Sequence, residues 1–177
     1  MASVPSAFTT GSGSGFLGNW HLITSTALSA VSSVSFTSAS IVNYNKIWFT
    51  FSSVVGVASN TVNLGVSNNG GSSYSSVNLY ITFSNNSSTG ANIGAPAELF
   101  YQTIVAATFT GCVSIDNPNV TDIKLLLGSY DTYIHTGVSI YTALTGYTDS
   151  TAQINAFQFS MVGGGSFSTG TINMYGQ

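Results

Sequence analysis

Arginine is absent from the 177-residue sequence, and the two lysines, Lys46 and Lys124, are set against five carboxylates. Only 4% of the chain is charged, for a formal net charge of −3, whereas an ordinary soluble domain is about 25% charged. Without a cluster of cations there is nothing to neutralise phosphates, the term that carries most nucleic-acid affinity, and nothing to hold an anionic membrane surface. Cysteine occurs once, at Cys112, which excludes an intrachain disulfide and fits assembly in a reducing compartment. Three prolines and no long polar linker in the interior leave no place to divide the chain. No apolar run approaches the roughly 20 residues of a spanning helix, so membrane insertion is not expected. The N-terminus has no basic residue followed by an apolar stretch, so synthesis in the cytoplasm without a signal peptide is expected.

What is present in quantity is hydroxyl and amide: 29 Ser, 21 Thr and 15 Asn, with 19 Gly. Ile, Val, Leu and Phe still exceed a quarter of the chain, above the roughly 20% below which a core cannot form. From Trp20 onward apolar residues alternate with Ser, Thr and Asn. The clearest stretches are Val34 and Phe36; Ile47, Phe49 and Phe51; Val62, Leu64 and Val66; and Val77, Leu79, Ile81 and Phe83. Leu99 and Tyr101, Val113 and Ile115, Ile123, Leu125 and Leu127, Phe157, Phe159 and Met161, and Ile172 and Met174 continue the pattern. A period of two places one side chain in two on each face of a strand, so each set is expected to point inward.

Asn and Gly tolerate positive φ, so Ser67-Asn-Asn-Gly-Gly71 reads as a hairpin turn, with Asn117-Pro-Asn119 and Gly163-Gly-Gly165 as further punctuation. No window carries a capped amphipathic helix. The expected fold is all-β: an antiparallel β-sandwich of jelly-roll type with roughly ten strands, spanning 20–177. Residues 1–19, MASVPSAFTTGSGSGFLGN, stand apart as a short extended, flexible arm of small residues carrying two isolated apolar side chains, Phe8 and Phe16, suited to attachment on a partner or, as the equal alternative, to packing on its own domain.

Chemistry-bearing motifs are sparse. Gly13-Ser-Gly-Phe-Leu-Gly18 spells the dinucleotide fingerprint, but neither the strand nor the helix that makes it work flanks it. His21 and His135 lack the spaced neighbours of a zinc site, and no Gly-x-Ser-x-Gly elbow occurs. Glu98, Asp116, Asp122, Asp131 and Asp149 read as scattered through loops, not as a paired acid and base. The segment Asp116–Asp122 is rich in oxygen ligands but lacks the spacing of a calcium loop, and an Asx turn accounts for it better. No catalytic residue, metal or cofactor is expected.

Aromatics are the richer group, with nine Tyr and two Trp. Tyr130, Tyr133, Tyr141 and Tyr147 fall in or beside 129–149, read as loops. Tyr130, Asp131, Tyr133 and Tyr147 are candidates for contact with a glycan or a protein partner, since exposed rings stack on sugars and the carboxylate accepts hydroxyl hydrogen bonds. Cross-strand or core packing is the competing account.

Gly111-Cys-Val-Ser-Ile-Asp-Asn-Pro118, Thr151-Ala-Gln-Ile-Asn-Ala-Phe-Gln-Phe159 and Gly170-Thr-Ile-Asn-Met-Tyr-Gly176 resemble the C-terminal half of β-sandwich domains in tailed-phage virion proteins. Trp20-His-Leu-Ile-Thr24, Tyr44-Asn-Lys-Ile-Trp-Phe49 and Ser67-Asn-Asn-Gly-Gly71 look like early strands of the same domain. The sequence departs from the pattern at Gln158, where such domains often carry Arg, at Met174 in place of Leu and at Gln177 in place of an apolar residue. The resemblance implies a virion-surface protein of a capsid decoration, head fibre or tail fibre. Its implied partners are further copies of itself as a homotrimer, other capsid or tail components, and a host surface glycan in the alternative role of adhesion module.

Overall fold

The computed structural model describes residues 19–177 except 40, 58–61, 77, 85–88, 95–97, 101–107, 135–137 and 149–150. The arm, with Phe8 and Phe16, therefore lies outside the described residues apart from Asn19. Among the described residues are thirteen strands: β1 (His21–Ala27), β2 (Ser33–Thr37), β3 (Lys46–Val57), β4 (Val62–Ser67), β5 (Ser75–Ser76), β6 (Asn78–Ser84), β7 (Thr89–Gly94), β8 (Glu98–Phe100), β9 (Thr108–Asp116), β10 (Leu125–Ile134), β11 (Val138–Tyr147), β12 (Ala156–Met161) and β13 (Ser166–Gly176). All pairings are antiparallel. The larger sheet runs β1-β13-β3-β9-β10-β11-β6-β7, and the smaller runs β2-β12-β4-β5 with β8 also on β4.

This is the expected antiparallel sandwich. Strands β1, β13, β3 and β9 of one sheet and β2, β12, β4 and β8 of the other trace a jelly roll, because β1 and β2, β3 and β4, β8 and β9, and β12 and β13 each change sheet. Strands β10, β11, β6 and β7 continue the larger sheet beyond β9.

The sheets meet through aromatic side chains at alternate positions. Phe49 of β3 is fully buried and meets Phe36 of β2 and Phe157 and Phe159 of β12 edge-on, at ring-centroid distances of 5.3, 5.2 and 4.9 Å. Phe51 meets Phe159 at 5.1 Å. Edge-to-face pairs of this kind add about 0.5–1.5 kcal/mol each to the burial of their area. Ile47, Val62, Leu64, Val66, Val113, Ile115, Ile172 and Met174 fill the remainder from the inward positions.

The turns follow their residue chemistry. Between β4 and β5 the Ser67 hydroxyl donates to Asn69 Oδ1 (2.7 Å) and accepts from Gly71 N (3.0 Å), while Gly70 and Gly71 take φ of 73° and 87°. Asn117, at φ 51°, turns the chain from β9 toward β10. In the middle of the larger sheet a bulge in β3 puts Ser53 at φ 49°, and Gly170 of β13 faces it at φ 115°. A Cβ on Gly170 would lie 2.5 Å from the Val54 Cα, so only glycine lets the two strands pass.

Candidate functional site

Strand β10 reverses the expected direction of its alternation. Leu125 and Leu127 are 59% and 49% exposed, and Ile123, just before the strand, is also exposed, while Leu126, Tyr130 and Thr132 face the core. The parity is fixed by the neighbouring strand β9. Leu126 pairs with buried Ile115 of β9, and Tyr130 pairs with Gly111, whose missing side chain leaves the space that the tyrosine fills. Just upstream, Lys124 is completely shielded from solvent, though thinly covered, and its Nζ donates to the Ala152 carbonyl. Burial lowers the pKa of this ammonium, with Asp122 opposing the shift.

The apolar set at 123, 125 and 127 therefore lies on the solvent side of the larger sheet. Leu125 is the direct cross-strand partner of Tyr147 on β11, and exposed Val120 lies in the preceding turn. The register carries one transverse row along this outer face, from Leu22 through Tyr175, Trp48, Ser114 and Leu127 to Thr145. At the β1 end of the row the Trp48 ring lies 5.8 Å from Tyr175 and 5.3 Å from Trp20. Beside it Lys46 Nζ stands 2.9 Å from Asp116 Oδ1. That contact is Coulombic and not an aligned hydrogen bond, for the buried oxygen has no donor among the described residues.

The four aromatic and acidic candidates do not converge. Tyr130 is 3% exposed, packed edge-on to Phe109 at 6.5 Å, and contributes to the core instead of a surface. Asp131 is exposed between Thr110 and Tyr141. Tyr133 and Tyr147 are both exposed, but Tyr133 lies opposite Thr108 and Tyr147 opposite Leu125, near opposite ends of β10. Eight residues of strand separate those positions, about 27 Å at 3.4 Å per residue. All four residues sit on strands, not on the expected loops, and Glu98, Asp116 and Asp131 likewise belong to β8, β9 and β10. His135 and Asp149 lie outside the described residues.

In the segment Asp116–Asp122, Asp116 is engaged by Lys46, and Asp122 accepts from the amide of the next residue, Ile123, at 2.7 Å, while the turn is closed through the backbone, Val120 N donating to the Asn117 carbonyl at 3.3 Å, and not by the expected Asx bond. Among the described residues no three His, Cys, Asp or Glu side chains gather as a metal site would require, and no helix is long and apolar enough to cross a membrane. The arrangement presents apolar surface and ring faces framed by hydroxyls. The cluster of Trp20, Trp48 and Tyr175 was concealed by its dispersal along the sequence. Its signal was parity, since Trp48 sits between inward Ile47 and Phe49, and Tyr175 follows inward Met174. Comparison with protein-family models, with curated proteins and with solved structures finds no match.

Proposed function

We propose that this chain is a structural component of a tailed-phage particle, a jelly-roll module displayed on the virion surface and packed there against further copies of itself. The observation that carries the reading is the outward apolar set Ile123, Leu125 and Leu127 with Tyr147 beside it. Isolated apolar side chains on a surface are ordinary, but an adjacent group marks a contact surface. The near absence of charge supports the same reading, since copies of a chain with net charge −3 repel one another little.

The module works by binding and assembly, not by catalysis. A two-sheet sandwich is a rigid scaffold, and the resemblance of its strands to phage virion domains is what points to a capsid decoration, head fibre or tail fibre. In a cyclic trimer the apolar corner of one copy packs on a different surface of the next, closing a ring. Residues 1–19 supply attachment to a capsid or tail component, with Phe8 and Phe16 as anchors. Deleting residues 1–16 tests this directly. The truncated chain should fold with an unchanged thermal midpoint and fail to join particles, and its incorporation at the normal level would contradict the proposal.

A further inference from the structure

We propose that the corner of the outer face where β1, β13 and β3 meet binds a neutral oligosaccharide, with sugar rings lying on Trp48 and Tyr175 and with Trp20 as a side wall. Trp48 and Tyr175 are direct cross-strand partners on the solvent side of the sheet. Their planes are inclined by 41°, and that of Trp20 by 53° to Trp48, so the three rings form a creased shelf in place of a close-packed stack. All three are only half-buried. The floor of the shelf crosses one strand spacing, with the two ring centroids 5.8 Å apart, so that each can carry one of two linked sugar rings. Aromatic faces accept the C–H side of a pyranose, and polar groups at the margin fix its orientation.

The margin has the chemistry such a ligand needs. Asn173 donates through Nδ2 to Thr50 Oγ1 at 3.3 Å, forming a linked amide and hydroxyl next to the shelf on β13 and β3. Ser114 adjoins Trp48 on β9. The nearest charges, Lys46 and Asp116, compensate each other at 2.9 Å, which leaves no net charge to draw an ionic ligand. A single-stranded nucleic acid would also stack on aromatic rings, but it needs cations along its backbone that this chain lacks. An ordinary protein surface would bring charges that find no partners here. An uncharged ligand with apolar ring faces and many hydroxyls is the complement of this corner. This inference does not rest on the particle reading, since the free chain would bind sugar wherever it resides.

The chain contains only two tryptophans, both in the corner, so tryptophan fluorescence, excited at the long-wavelength edge where the nine tyrosines do not absorb, reports on this place alone. The full chain would be titrated with chitohexaose, cellohexaose and maltohexaose into the millimolar range. A saturable change with at least one of them is expected, insensitive to salt, weakened about tenfold or more in Tyr175→Ala, and unaltered in Val57→Thr, at an exposed position at the far end of β3. Where Tyr175→Ala lowers the thermal midpoint, Trp48→Phe supplies the second variant, retaining a ring of smaller area. Saturation-transfer NMR on the unaltered chain should show ring-proton contacts to the sugar C–H groups. No saturable change with any of the three sugars overturns the proposal. So does equal affinity in both variants, or a fluorescence change that follows protein concentration alone, which would mark the corner as a contact between copies.

Discussion

Leu125 of β10 and Tyr147 of β11 face each other across the solvent side of the larger sheet, each with about half of its surface open. In a single copy this cross-strand pair gains little from burial. Covering it is favourable, because a Leu or aromatic side chain removed fully from water contributes about 1.5–3 kcal/mol. With Ile123 and Leu127 on the same side, the pair belongs to an adjacent apolar group of the kind found at the centre of interfaces.

Gly170 is held at φ 115° against the Ser53 bulge, where a Cβ would meet the backbone of Val54. Gly170→Ala should lower stability by more than about 1 kcal/mol, because both the conformation and the space exclude a side chain. Urea midpoints of the two proteins measure this. A loss within experimental error would mean that the strands separate easily at the bulge.

Lys124 couples folding to alkaline pH. Burial lowers its folded pKa below the ordinary 10.5. Between the lowered value and 10.5 the unfolded chain holds a proton that the folded chain has released, so stability rises with pH across that interval. Below the lowered value the folded protein carries the full cost of the buried charge. Lys124→Met should abolish this alkaline rise, read as the difference between the two proteins in denaturant midpoint at neutral and alkaline pH. An identical pH dependence in both would show that the ammonium is solvated.

Cys112, the one cysteine of the chain, lies half-buried on β9 between Thr50 and Ser129 on the outer face. If copies cover this face, alkylation of the thiol should slow as protein concentration rises through the assembly range. A rate independent of concentration would place any contact elsewhere. Mass spectrometry of the alkylated chain gives the rate.

Much of this fold was legible from period-two alternation. The inward sets on β2, β3, β4, β12 and β13 lie where the pattern puts them, because each strand buries one clean apolar face. The fold exceeds the roughly ten strands expected because β5 has two residues and β7 reads Thr-Gly-Ala-Asn-Ile-Gly, with almost no apolar alternation. On β10 the pattern misled for a physical reason. Leu125, Leu126 and Leu127 are consecutive, so composition cannot choose which face turns inward, and the choice fell to Gly111 and Ile115 on the neighbouring strand. Tyr130 was drawn into the core by that same register. The corner of Trp20, Trp48 and Tyr175 unites residues from both ends of the chain, which only the pairing of β1 and β3 with β13 brings together.

The most direct test of an assembling outer face is sedimentation of the full chain over a range of concentrations, beside Leu125→Ser/Leu127→Ser. The two exposed leucines can be exchanged without disturbing the core. The unaltered chain should sediment as a closed oligomer, a trimer in the arrangement proposed, and the double variant as a folded monomer. A monomer at every concentration for the unaltered chain, or an oligomer unaffected by the double substitution, would contradict the account.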